Sequence, residues 1–266
     1  KIKALHVADG RIQKITFNHA GKPQTLPVHT LIDATGNAAV VRLLNPNLIS
    51  KEESLAGLIV QLRDVLPNAI QFPQGVALLH RIRKAAGSGE LPSECAALWL
   101  DSGVRPDEIY IKFNLPASDY VASRVAGVID CLLTWLRAVP GFAQVRISTQ
   151  GRLGVRDGGR IRGEYCLTES DIHAGKNFSD AVCRAAWPIE HWHPQRGISL
   201  DYLPSGHSYT IPKRSLTVHN FSNFFAVGKC LCAEPRAQAS ARVVGTCWAM
   251  GEGLVKTKTT LQQNQQ

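Results

Sequence analysis

Long uncharged apolar runs are missing from this 266-residue sequence. Its greasiest stretch, Val125 to Leu136, is interrupted by Asp130 and falls short of the roughly 18 to 20 residues a membrane-spanning helix needs, so no membrane span is expected. CxxC pairs are missing too. The seven cysteines (95, 131, 166, 183, 230, 232 and 247) are odd in number and scattered, which suits reduced thiols in a cytoplasmic setting better than a disulfide framework or a zinc site. Aromatic residues are few, at 7%, and the basic residues do not form a run, so nucleic-acid binding is the least favoured reading. No secretory signal is visible. The sequence opens on Lys1 rather than Met, in what reads as mid-strand, so an upstream segment is expected.

What is present is the composition of a folded protein: 44% hydrophobic, 19% charged, with 22 Gly and 14 Pro. That supplies core for one large domain or two small ones. The net charge of +9 attracts phosphates or carboxylate substrates, among others.

Alternating segments at Lys3 to Val7 and Arg11 to Phe17, joined by Asp9-Gly10, predict a hairpin with a tight turn. A second turn at Ala20-Gly21-Lys22 leads to a strand over Val28 to Asp33, which stops at Ala34-Thr35-Gly36. Strands are also expected at Leu58 to Leu62, Glu108 to Asn114 and Ser222 to Val227. Helical patterning covers Gly75 to Ala86 and, most clearly, Ser118 to Val139, with an apolar stripe from Val121 to Leu136, Ser118 as N-cap and Pro140-Gly141 as the stop. A last helix is expected over Ala241 to Lys258. The five arginines from Arg146 to Arg162 read either as a solvated basic strand or as holders of an anion, since a guanidinium bonds carboxylate or phosphate with two parallel N–H groups.

Three separated corners share one physical feature, an exposed backbone with glycine where a flat or charged ligand can approach. They are Asp33-Ala34-Thr35-Gly36 after one strand, Gly228 after another, and Gly245-Thr246 at the start of the last helix. Singly, each is as consistent with an ordinary turn.

Their order, and the residues between them, carry a resemblance. Leu153-Gly154-Val155-Arg156, Arg160-Ile161-x-Gly163-Glu164-Tyr165-x-Leu167-Thr168, Trp187-Pro188-Ile189-Glu190-x-x-His193 and Tyr209-x-Ile211-Pro212-x-Arg214-Ser215-Leu216 are followed by Asn223-x-x-x-Val227-Gly228-Lys229-Cys230. Ala239-Ser240-Ala241-Arg242-Val243-x-Gly245-Thr246-Cys247 closes the series. The series resembles the C-terminal part of the FAD-dependent oxidoreductase family with a glutathione-reductase-like flavin fold. The resemblance implies an α/β fold of mixed α+β character, in which an incomplete FAD-binding domain is interrupted by a substrate domain with a mixed or antiparallel sheet and helices. The expected boundaries are 1–45 and 218–260 for the flavin domain, 46–217 for the substrate domain and 261–266 for a disordered tail.

FAD is the implied cofactor, held by Ala34, Thr35 and Gly36 near the dinucleotide, Gly228 and Lys229 near the ribityl chain and pyrophosphate, and Arg242, Val243, Gly245 and Thr246 against the isoalloxazine. Arg160, His193, Tyr209 and Arg214 would face the active cavity. His193 is the expected base, because imidazole titrates near neutrality; the alternative is a satisfied polar turn. Tyr209 either donates to a substrate oxygen or anchors a strand end, and Arg214 either clamps a carboxylate or pairs with an acid in the wall. No metal is expected, since His191 and His193 lack a third ligand at useful spacing. Cys230 and Cys232 would point to opposite faces of a strand.

The sequence departs from the family pattern in places. No Gly-x-Gly-x-x-Gly lies in residues 1 to 40, so a separate N-terminal segment or partner chain is expected to supply it. Lys229 and Gly159 stand where arginines are usual, and the closing helix reads Gly251-Glu252-Gly253-Leu254. The implied activity is hydride transfer from a small organic substrate, an acid by the charge of the lining, to flavin N5. The alternative is a non-catalytic interaction subunit that keeps the fold and has lost the cofactor.

Overall fold

A computed structural model describes residues 2–50, 55–116, 122–193 and 197–263. In chain order the elements are β1 (Ile2–Ala8), β2 (Arg11–His19), β3 (Lys22–Pro27), β4 (Leu31–Asp33), α1 (Ala39–Leu44), β5 (Leu55–Arg63), α2 (Gln74–Ser88), β6 (Trp99–Ser102) and β7 (Ile109–Pro116). Then come α3 (Ala122–Arg137), β8 (Arg146–Gln150), β9 (Gly154–Val155), α4 (Glu169–His173), β10 (Ala181–Ala185), β11 (Ile189–His193) and β12 (Gly197–Asp201). The last are β13 (Tyr209–Pro212), α5 (Lys213–Leu216), β14 (Phe224–Ala226), α6 (Pro235–Ala241) and α7 (Val244–Gln263). The fold is mixed α/β, with several small sheets and helices. The chain divides into two compact units, one comprising Lys1–Glu52, Asp157–His191 and Leu200–Gln266, the other Glu53–Arg156 and Trp192–Ser199.

In the first unit, β1, β2 and β3 form an antiparallel meander. Its first turn places Asp9 at φ 49° and Gly10 at φ 66°, the left-handed pair that a two-residue hairpin of matching twist requires. The strand expected over Val28 to Asp33 is shorter: Val28 N–H still bonds Gln13 in the meander, and only Leu31–Asp33 joins β14, in parallel. Two apolar cores fill this unit. One gathers Ile12, Val41, Ile161, Val218 and Phe224, and the other Leu167, Tyr209, Ile211, Phe225, Met250 and Leu254.

The second unit is an antiparallel sheet in the order β6-β7-β5-β8, with β9 also on β5. Alternation explains it. Leu58, Val60 and Leu62 of β5 face Phe113, Ile111 and Ile109 of β7 across the ladder, and all six are buried. Helix α2 contributes Leu78, Ile82 and Ala85 to the same core, and α3 contributes Val125, Val128, Ile129, Leu132, Leu133 and Leu136, the i, i+3, i+4 pattern of a one-sided helix. Burial of each large side chain is worth roughly 1.5–3 kcal/mol. The expected stop is found: α3 ends at Arg137, and Gly141 takes φ 89°. The expected N-cap, Ser118, lies outside the described residues.

Other expectations are corrected as well. The last helix does not run unbroken over Ala241 to Lys258, because Arg242 and Val243 separate α6 from α7; the Arg242 N–H closes α6 on Gln238, leaving α7 to start afresh with its own unbonded N–H groups. Cys230 and Cys232 are not on a strand: Gly228–Cys230 is a single 3-10 turn, and both thiols are buried. Helix α7 also continues to Gln263, into the segment expected to be a tail; residues 264–266 lie outside the described residues. Among the described residues, no helix is long and apolar enough to cross a membrane.

Candidate functional site

Asp33 organises the first corner. Its side chain, 1% exposed at the end of β4, accepts from Thr35 N and Thr35 Oγ1 at 3.0 and 2.6 Å through Oδ1, and from Val40 N and Val41 N at 2.8 and 3.1 Å through Oδ2. One carboxylate therefore fixes the Ala34-Thr35-Gly36 turn and satisfies the first N–H groups of α1, where negative charge also suits the helix dipole. Gly36 is left-handed at φ 74°, and a Cβ there would lie 3.6 Å from Lys229 Cε. The first corner thus touches the second.

Gly228 links the second corner to the third. Its own Cβ position lies 3.6 Å from Cys247 Sγ, in the first turn of α7. Gln238 Nε2 donates to Lys229 O at 2.8 Å, and Cys247 Sγ to Arg242 O at 3.3 Å. No atom within 4 Å would meet a Cβ on Gly245. The three glycine-bearing corners therefore converge in one unit. Charge accompanies them: Lys229 and Arg242 both act on the Cys247 thiol, opposing the burial that raises it. Burial holds the Arg242 guanidinium below its ordinary value, against the pull of Glu190 and Asp157.

The expected cavity residues are placed differently from one another. Arg160, 4% exposed, donates from Nε to Asp157 at 2.9 Å and from Nη1 to the Ala233 carbonyl. Tyr209 is wholly buried; its hydroxyl is 2.7 Å from Ser240 Oγ, which donates to Trp187 O at 2.6 Å, and burial pushes it up to about 12. Arg214 holds Asp180 with Nε and Nη2 at 3.1 and 3.3 Å and lies over the Tyr165 ring. His193 ends β11 and belongs to the second unit, where Arg156 stacks on Trp192 at 4.1 Å. The arginine-rich segment thus splits: Arg146 is exposed and paired with Asp64, Arg156 is stacked, and Arg160 is buried.

Sequence reasoning missed three participants. Asp157 stands only three residues before the Arg160 it orients, and Cys247, at the end of the motif series, is well separated in sequence from the Gly228 it closes on. Arg42 is the third. It donates to Gly158 O at 2.9 Å, and its Nη2 lies 2.7 Å from where a Cβ on Gly159 would sit. Gly159 takes φ 113°, a conformation that excludes the usual arginine there. Nor do His191 and His193 mark the place where metal-type ligands meet. Among the described residues that group is Glu169, His173 and Asp201, and the Arg236 guanidinium already bonds both carboxylates, at 2.7 and 3.1 Å.

A family model described as FAD dependent oxidoreductase matches residues 68–255. The chain belongs to this family. Comparison with solved structures returns matches at low identity, flavin-dependent enzymes among them. A geranylgeranyl bacteriochlorophyll reductase-like protein from Thermoplasma acidophilum is 10% identical, with 99% of this chain and 49% of that one covered and a TM-score of 0.43. A triple mutant of the flavin-dependent brominase Bmp2 is 9% identical, with 96% and 50% covered and a TM-score of 0.39. The halogenase PltM in complex with phloroglucinol and FAD is 13% identical, with 62% and 34% covered and a TM-score of 0.35. The chain thus spans half or less of the length of these structures. A search of the curated proteins returned no match.

Proposed function

We propose that this chain forms one side of an FAD site in an oxidoreductase, and that a separate polypeptide segment brings the glycine triplet absent from residues 1 to 40. The carrying observation is the convergence of Gly36, Gly228 with Lys229, and the first turn of α7. The donor set fits an anionic dinucleotide: small residues allow close approach, two cations stand beside them, and α7 offers the unbonded N–H groups of a long helix. Ala34, Thr35 and Gly36 would lie along the dinucleotide, Gly228 and Lys229 at the ribityl chain and pyrophosphate, and Arg242, Val243, Gly245 and Thr246 beside the ring. In this reading segments 1–45 and 218–260 serve the flavin and 46–217 the substrate.

When bound, FAD supplies a hydride acceptor at N5. The chain's residues do the rest. Lys229 and Arg242 would offset the negative charge of the bound dinucleotide, and the N-terminus of α7 would direct N–H groups toward the ring. We assign His193 as the proton acceptor toward a small organic substrate, an acid by the arginines of the 146–162 segment. Arg160, fixed by Asp157, sets the wall behind. Tyr209, through Ser240, anchors β13 to α6 rather than reaching the substrate, and Arg214 holds the wall through Asp180.

One set of observations favours the second reading, a subunit that keeps the fold without the cofactor: Lys229 replaces a two-pronged arginine, and Gly159 cannot carry one. Titration of FAD fluorescence separates the two. With the triplet-bearing segment supplied, quenching saturates, and Lys229→Ala and Arg242→Ala each weaken binding about tenfold, the scale of a charge-assisted contact. Absence of saturable quenching would leave the non-catalytic subunit standing.

A further inference from the structure

Leu167 makes a parallel bridge with Ala233: its N–H donates to Cys232 O at 3.0 Å, and its carbonyl accepts from Glu234 N at 2.8 Å. This bonding fixes the register one residue back. Cys166 therefore stands beside Cys232, each one residue before its member of the bridge. The spacing of adjacent strands, about 4.8 Å, falls within the Cα separation a disulfide accepts. Cys232 is among the groups that act on the Cys166 thiol. Both cysteines are reduced, Cys166 exposed and Cys232 buried.

We propose that Cys166 and Cys232, set side by side by the Leu167–Ala233 bridge, are a dithiol that a peroxide closes to a disulfide, with Cys166 as the attacking and Cys232 as the resolving thiol. The Cys166 thiolate attacks hydrogen peroxide; the O–O bond breaks, giving a sulfenic acid, and the departing hydroxide takes the thiol proton to leave as water. Cys232 Sγ then attacks Cys166 Sγ. The S–S bond forms, the S–O bond breaks, and a second water leaves with the Cys232 proton. Two thiols lose two electrons and two protons, and one peroxide becomes two waters. The assignment of roles follows exposure, since the oxidant meets Cys166 first.

The bond would tie the segment carrying Arg160 to the loop carrying Lys229, at the point where Arg160 already bonds the Ala233 carbonyl. The reaction is slow at neutral pH. Burial of its sulfur, the neighbouring Cys232 and the Glu234 carboxylate push the Cys166 thiol up to about 12, against the opposing Arg160, so thiolate is scarce.

The test treats the full chain with hydrogen peroxide, blocks free thiols with N-ethylmaleimide and maps peptides by mass spectrometry without reductant. The expected product is a Cys166–Cys232 cross-link that dithiothreitol removes, that survives in Cys230→Ser, and that forms about tenfold faster for each pH unit between 7 and 9. In Cys232→Ser, Cys166 stops at a sulfenic acid that dimedone labels. A link from Cys166 to Cys230, or a Cys166 still alkylated by maleimide after Cys131 or Cys183 has been oxidised, overturns the proposal. The wild-type mapping decides the matter should either variant fail to fold.

Discussion

The two compact units are stabilised by different physics. The second unit owes its core to apolar area: β5 and β7 pair three buried side chains against three, and α2 and α3 extend the same cluster. The first unit also has apolar cores, but it is threaded by buried polar groups that need partners, among them Asp33, Asp171, Arg160, Asn223 and Ser240. Asn223 alone bonds Ile12 in both directions and His29 O. Area tolerates imprecision, whereas a buried carboxylate fails if its donors move. Every expected cofactor-binding residue lies in the first unit, where partners are fixed by hydrogen bonds.

That comparison breaks most visibly with Phe113→Ala. The ring is 2% exposed in the middle of β7, and its removal should cost about 3–5 kcal/mol in urea unfolding followed by circular dichroism. A loss under about 1 kcal/mol would mean that the second unit does not rest on this packing. Asp33→Ala is the counterpart in the first unit. It strands the Thr35, Val40 and Val41 N–H groups and should cost about 3 kcal/mol. Asp33→Asn, which keeps one acceptor oxygen, should recover part of this. An equal cost for both would show that charge rather than bonding matters.

Gly253→Ala comes next. A Cβ at this position would lie 1.8 Å from Val182 O in β10, so α7 must move off the strand, and the expected cost is about 1–3 kcal/mol. Gly251→Ala, two residues away with nothing within 4 Å, should be neutral or stabilising, because alanine favours a helix over glycine. Thermal unfolding of the pair measures the difference. If both variants behave alike, the close approach of α7 to β10 is not what the glycine serves.

The second unit was legible where periodicity speaks: Leu58, Val60 and Leu62 alternate, and the α3 stripe repeats at helical spacing, so both elements could be read from neighbours in sequence. The glycine corners were legible as turns, and their convergence followed only from the ordered motif series. What stayed hidden depends on side-chain contacts that no pattern of residue types announces. Asp33 read as the end of a strand, and nothing local showed that its carboxylate caps α1. Gly159 read as a lost arginine, whereas its backbone conformation and the Arg42 guanidinium explain it. Tyr209 read equally as donor or anchor, and only Ser240, beyond the next strand, decides where its hydroxyl goes.

The smallest expected effect concerns acid. Asp171 caps α4 through Thr168 and also accepts from Tyr165 Oη at 2.7 Å and Lys176 Nζ at 2.8 Å. Burial alone would raise its pKa, but these bonds outweigh burial and hold the carboxyl below its ordinary value of 3.8. A carboxylate depressed in the folded state contributes stability that is fully present above the unfolded value and is lost as pH falls through the folded one. The loss should therefore begin near pH 4 and continue below it. Lys176→Met removes the cation, so the folded pKa rises toward the unfolded one. The variant should then be slightly less stable than the wild type at pH 7, a small effect for so exposed a lysine. The gap should narrow as pH falls below the ordinary value, because each Asp171 that takes up a proton has no charge for Lys176 to hold. Melting curves between pH 7 and pH 3 test this, and a gap that stayed constant through acid would show that Lys176 supports the first unit by packing and not by charge.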